Sequence, residues 1–207
     1  MERLTPRERR QAATRRSLAE HALRLFDERG YEGTTVADIA DAADMSTRTF
    51  FRHVRDKGEA VFAADEDVFA EVVEAASAAG TGVPPLARLL QGVRTLAASL
   101  GEDAEDKCAR ERVLEENPEL RARELVQQLR WQQHVEGFLR GQGVAHDEAS
   151  LAAGLVLTIW RESYRRWIAA AAEPGALGGF LDAVVAELPG HLGAPGVPGR
   201  PGAARGG

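Results

Sequence analysis

Residues 35–57, TVADIADAADMSTRTFFRHVRDK, decide the fold. Thr35 followed three residues later by Asp38 is a helix-starting pair, with the hydroxyl capping the first turn and the carboxylate reaching back. Val36, Ile39 and Ala40 then share one side of a short helix. Asp41 to Met45 interrupts it, and Ser46 caps a second short helix through about His53. Two short capped helices joined by a tight turn make a helix-turn-helix pattern. In the second helix Thr47, Arg48 and Arg52 project from one side, while Phe50 and Val54 can turn inward against Ile39, Phe26 and Leu18. Arginine can grip a guanine edge through two N–H groups, and threonine can reach a base, a phosphate or a thymine methyl. His53 and Lys57 follow and could hold phosphates. Spacing alone equally admits a helical hairpin with a solvated basic face.

Outward from this stretch the chain reads as all-α. Thr5-Pro6-Arg7-Glu8 starts a long helix that stops at Gly30, with Leu18, Ala22, Leu25 and Phe26 on its apolar face. Asp56-Lys57-Gly58-Glu59 reads as another capping box. It predicts one fourth helix carrying Val61, Phe62, Val68, Phe69, Val72 and Val73. Gly80 to Pro85 is a linker. Leu86, Leu89, Leu90, Val93, Leu96 and Leu100 form a helical stripe, and Asn117-Pro118 separates a charged helix over 103–116 from a long one over 119–140. Residues 147–172 form the most apolar helix, ended by Pro174-Gly175. The last helix carries Leu177, Phe180, Leu181, Val184, Val185 and Leu188. Residues 193–207, GAPGVPGRPGAARGG, are expected to be disordered.

The 207 residues are 44% hydrophobic and 28% charged, ordinary for a globular chain. No apolar run reaches the roughly 18 residues of a membrane span. The arginine-rich start lacks an apolar stretch behind it, so no secretory signal is expected and the location should be cytoplasmic. A single cysteine, Cys108, excludes an intrachain disulfide and a multi-thiolate zinc site. No phosphate loop, nucleophile elbow or paired zinc-binding histidines appear, so neither an enzyme nor a metal or other cofactor is expected. The net charge of −6 argues against nucleic acid as a partner, until it is divided. Residues 1–57 carry +2 and residues 58–207 carry −8. The basic excess lies in residues 1–16 and 45–57.

One set of residues makes the pattern specific. Leu25-Phe26, Gly30-Tyr31, Thr34-Thr35-Val36, Ile39-Ala40, Met45-Ser46, Thr49-Phe50-Phe51 and Asp56-Lys57, in order and without gaps, strongly resemble the DNA-binding domain of TetR-family transcriptional regulators. The resemblance spans about residues 10–62. It implies an N-terminal three-helix helix-turn-helix domain, here 1–55, and a C-terminal helical ligand-binding and dimerisation bundle, here 56–192. It further implies a ligand-responsive repressor that binds a palindromic double-stranded operator as a homodimer. The DNA-contacting set would be Thr35, Ser46, Thr47, Arg48, Phe51, Arg52, His53 and Lys57. Two departures stand out: the family often has tyrosine where Phe51 stands and glycine where Arg48 stands. The C-terminal half is weakly similar to mycofactocin-type, acyl-CoA-responsive regulators, which implies a hydrophobic or amphipathic effector.

The C-terminal residues admit two readings each. Trp131, His134, Phe138, Trp160 and Tyr164 can line an effector pocket or fill a core. The apolar surplus over 151–160, with Leu151 and Leu157 off the core face, suits a dimer contact built from the helices at 147–172 and 176–190. The same residues could instead bury within one bundle. Arg161, Arg165 and Arg166 could hold an anionic ligand or pair with Glu162. Cys108, beside Lys107 and Arg110, could be a redox sensor or an inert thiol. A helical protein-interaction module without DNA binding is the alternative to a regulator.

Overall fold

The computed structural model describes residues 5–100, 104–170 and 176–192, and among them it contains ten helices and no strand. The expected tail, residues 193–207, and the stop at Pro174-Gly175 lie outside the described residues. Helix α1 (Pro6–Arg29) begins at a complete capping box: Glu8 N–H donates to the Thr5 hydroxyl and Thr5 N–H to the Glu8 carboxylate. Gly30, at φ +77°, ends it. Helix α2 (Val36–Ala42) repeats the device with Thr35 and Asp38. Asp44 then takes a left-handed conformation, φ +51°, and Met45 N–H donates to Ala40 O at 2.9 Å. That wrap closes α2 and aims the chain into α3 (Thr47–His53), capped by Ser46.

The fourth helix differs from the expectation. Asp56 caps it by accepting from Glu59 N–H at 2.8 Å, but the Glu59 carboxylate takes Arg55 N–H at 2.6 Å, so the box is half formed. Helix α4 (Lys57–Ala60) lasts one turn, a tight turn follows, and α5 (Asp65–Ala78) starts afresh with Asp65, Glu66 and Asp67. The break serves two cores. Val61 is buried with the N-terminal helices, while Val72 and Ala76 are buried in the C-terminal bundle. One straight helix would present them to a single neighbour.

Helices α6 (Pro85–Leu100), α7 (Ala104–Glu116), α8 (Pro118–Gly141), α9 (His146–Ala169) and α10 (Leu177–Leu192) complete the body. The N-terminal core joins Leu18, Leu25, Phe26, Ile39, Phe50 and Val54 to Val113 and Leu114 of α7 and Leu120 of α8. The head is therefore built partly from the body. A second core unites α5, α6, α8, α9 and α10 around Leu89, Val93, Leu139, Val156, Ile159 and Leu181. A third, smaller one surrounds Trp167, Ala97 and Leu177. Gly92 permits the close approach of α6 to α5, since a Cβ there would collide with the Val72 carbonyl oxygen.

Candidate nucleic-acid interface and effector cleft

Helix α3 stands on the head by one buried face. Phe50 is fully buried and Val54 nearly so, and both join Leu18, Phe26 and Ile39. The opposite face leaves Ser46, Thr47, Arg48, Phe51 and Arg52 exposed, and Thr35 is exposed at the start of α2. Phe51 is 56% exposed and meets Phe50 edge-on at 5.4 Å. Among the described residues no ion pair ties down Arg48 or Arg52, and both side chains are exposed. Thr47, Arg48 and Arg52 are thus exposed on the side of α3 away from Phe50 and Val54.

Beside it, Arg7 and Arg10 of α1 share a shallow cleft with Arg52 and His53 of α3. The chain start and the end of α3 thus merge into one basic surface. His53 is half-buried, and that burial, with Arg52 and Arg15 nearby, lowers its pKa below the ordinary histidine value. The charged form of the ring is thereby disfavoured. Lys57 is engaged elsewhere: its Nζ donates to Tyr31 O at 2.6 Å and Thr34 O at 3.1 Å and lies 4.3 Å from the Tyr31 ring centroid. The ammonium clamps the α1–α2 loop, where Thr34 Oγ1 also donates to Gly30 O at 2.9 Å. Its geometry is that of a loop anchor, with little left to offer a phosphate.

The body holds a cleft of about 1150 Å³ reaching from α1 and α5 to α7, α8 and α9. Trp131, Trp160 and Tyr164 line it, as the sequence suggested, and the Trp131 indole N–H is buried without a partner. His134 and Phe138 do not line it. His134 lies 5.5 Å from the Phe69 ring, and Phe138 lies under the Arg88 guanidinium. Sequence reading missed the cleft's charged floor. Arg110 donates to Glu124 at 2.8 Å, Arg121 donates to Glu124 at 2.7 Å and also pairs with Glu111, and Asp65 stands close by. Burial opposes the charge on Arg110, but Asp65 and Glu124 outweigh it and raise its pKa. Burial drives the Asp65 carboxyl up to about 6 against the pull of Arg110. Tyr164 is pushed up to about 12 by the same dry surroundings. Arg16, Ala19 and Leu23 of α1 also line this cleft, so an occupant would touch the head and the body together.

The suspected basic cluster on α9 is mostly spoken for. Glu162 accepts from Arg165 and Arg166, which hold its carboxyl down at about 2, and Arg166 also pairs with Glu187 at 2.7 Å. Arg161 remains at the cleft rim. Cys108 is a half-buried free thiol. Among the described residues no group of three or more His, Cys, Asp or Glu could hold a metal ion, and no helix is long and apolar enough to cross a membrane.

Comparison with known families accounts for both halves. Residues 18–64 match the family model for bacterial regulatory proteins of the tetR family, and residues 83–193 match the MftR C-terminal domain. The chain belongs to the TetR family of transcriptional regulators. These are regulators rather than enzymes, and the helix-turn-helix is their DNA-binding element. The chain is 33% identical over 142 residues to the HTH-type transcriptional regulator TcmR of Streptomyces glaucescens, a match covering 64% of this chain and 60% of TcmR. It thus spans less than two thirds of that relative. Three solved structures share the fold. A TetR-family regulator of Mesorhizobium loti has a TM-score of 0.55 at 22% identity, covering 86% of this chain and 95% of that one. The fatty acid degradation regulator FadR of Bacillus halodurans has 0.54 at 16%, covering 96% and 100%. FadR of Thermus thermophilus, a TetR-family repressor solved with lauroyl-CoA, has 0.53 at 24%, covering 93% and 100%. At these identities the likeness concerns the TetR-family architecture alone.

Proposed function

We propose that this TetR-family chain is a ligand-responsive repressor that binds a pseudo-palindromic operator as a homodimer in the cytoplasm. The observation that carries the reading is the exposed row Thr47, Arg48 and Arg52 on a helix locked to the head by Phe50 and Val54. A rigid, basic, unpaired helix face is suited to a major groove. Arg48 and Arg52 would read bases. Thr35, Ser46, Thr47, Phe51 and His53 would approach the backbone, and Arg7 and Arg10 would extend that grip. Two copies would present their α3 helices about 34–36 Å apart, one turn of DNA. The outward faces of α9 and α10 support the dimer: Leu151 is 65% exposed on α9, and Gly179, Ala183 and Ala186 are exposed on α10. The cleft under α1 supports control by a small amphipathic effector, because filling it would shift α1 against α5 and change the spacing of the reading helices. An acyl-CoA-like compound is one such effector, in keeping with the MftR-type C-terminal match.

Gel shifts of DNA from upstream of the protein's own gene test the reading. Wild type is expected to bind with strong salt dependence. Arg48→Ala and Arg52→Ala should each weaken binding by about 1–3 kcal/mol and relax preference at one base position per half-site. Unchanged affinity in both variants would remove the base-reading role. Absence of any shift, at low salt and without ligand, would favour a protein-interaction module.

A further inference from the structure

Arg88 is the second-largest fully buried side chain, 2% exposed, and its Nε and Nη2 have no hydrogen-bond partner. No ion pair is formed by it among the described residues. The Phe138 ring centroid lies 5.7 Å from the guanidinium carbon. It sits on α6 one residue before Leu89, in the middle of the bundle's apolar core. A guanidinium cannot shed its proton to escape such a place. Buried cations are therefore found paired, and an unpaired one marks a position whose partner is not among the described residues.

The surroundings say what the partner looks like. Leu96 lines the effector cleft and lies eight residues from Arg88, roughly 12 Å along α6. On α8, Trp131 lines the cleft and lies seven residues before Phe138, roughly 10 Å away. Between them the Phe69 ring stands 6.3 Å from Trp131 and 5.5 Å from His134. Helix α8 thus carries aromatic side chains from the cleft, at Trp131, to the buried cation, at Phe138.

We propose that Arg88 anchors the carboxylate of an elongated, otherwise apolar effector, whose body lies along Phe69, Trp131 and Phe138 and whose far end reaches the cleft beneath α1. This rests on the regulator reading for its purpose, but the site stands on its own chemistry. A planar guanidinium matches a carboxylate through two parallel bonds, and the dry surroundings strengthen the pair. The recognition is of an apolar carboxylate and discriminates against a neutral chain of the same length.

The probes are decanoate and 1-decanol, followed on the full chain by calorimetry and tryptophan fluorescence. Wild type is expected to bind decanoate at least tenfold tighter than decanol. Arg88→Met should bind both alike, with a melting temperature at or above wild type, since it removes an unpaired buried charge. Equal affinity of the wild type for both probes, binding of neither, or a preference that survives Arg88→Met would overturn the proposal. If Arg88→Met fails to fold, Arg88→Lys decides: a preference reduced at least threefold supports the anchor, and an unchanged one overturns it. Operator gel shifts on the same samples separate the two readings. Decanoate selectivity without DNA binding would leave the anchor and remove the regulator. DNA binding without decanoate selectivity would do the reverse.

Discussion

Asp65 shows how one residue can be placed against its own chemistry. It opens α5, where a helix N-terminus welcomes a carboxylate, yet burial drives its pKa up to about 6 from 3.8. The folded protein therefore binds a proton more readily than the unfolded chain between those values. Stability from this group is complete below about pH 4 and is lost as pH rises through about 6. Asp65→Asn is expected to gain about 1–2 kcal/mol more over wild type at pH 8 than at pH 4, measured by urea unfolding at both. An equal gain at the two pH values would mean that Asp65 ionises as it does in water. Arg110 and Glu124 would still pair in the variant, so the cleft floor keeps its shape.

Two glycines of the helices differ in what surrounds them. A Cβ on Gly92 would collide with the Val72 carbonyl, a backbone atom that cannot rotate aside, so α5 and α6 would have to part. Glycine-to-alanine favours a helix by up to about 1 kcal/mol, whereas overpacking costs about 1–3 kcal/mol. The clash should win at this position. Gly92→Ala is expected to lower stability by about 1–2 kcal/mol in denaturant titrations. Gly137, on the open face of α8, has nothing within 4 Å of the added atom, and Gly137→Ala should instead stabilise by about 0.5–1 kcal/mol. Finding the same sign at both positions would contradict the close α5–α6 approach. The split of the expected fourth helix has a similar origin. Its capping residues were legible, but the reach of Glu59 toward Arg55 and the pull of two cores were not.

Across the whole molecule, head and body share a core and several ion pairs. Arg112 grips Asp27 with two bonds, at 3.1 and 2.9 Å, Arg123 grips Asp56 at 2.7 Å, and Arg15 donates to Asp67 at 2.8 Å. Surface pairs of this kind contribute about 0–1 kcal/mol each, so they set orientation more than stability. The shared apolar residues matter more. Leu114 of α7 is fully buried among head residues. Leu114→Ala is expected to cost about 2–5 kcal/mol and to speed amide exchange in α1, although it lies far from the head in sequence. Unchanged exchange in α1 would show that the head is stable without the body. The same shared core includes Ala19 and Val61, which also line the cleft, together with Phe50 of α3.

The sequence by itself determined most of the helices, the caps of the first three and the side of α3 that packs inward. Those depend on neighbours three and four residues apart: Thr35 with Asp38, Ser46 with Thr49, Phe50 with Val54. It also showed where the charge divides and which aromatics could gather around a cleft, of which Trp131, Trp160 and Tyr164 do. Tertiary structure alone decided the rest, because the partners are remote along the chain. It drew Lys57 onto the Tyr31 and Thr34 carbonyls, set Arg110 between Asp65 and Glu124, and sealed Arg88 inside an apolar bundle. An arginine next to a leucine stripe reads as a surface charge in sequence. Only the packing of α6 within the bundle shows that Arg88 is almost wholly buried, and burial is what leaves that charge in want of a partner.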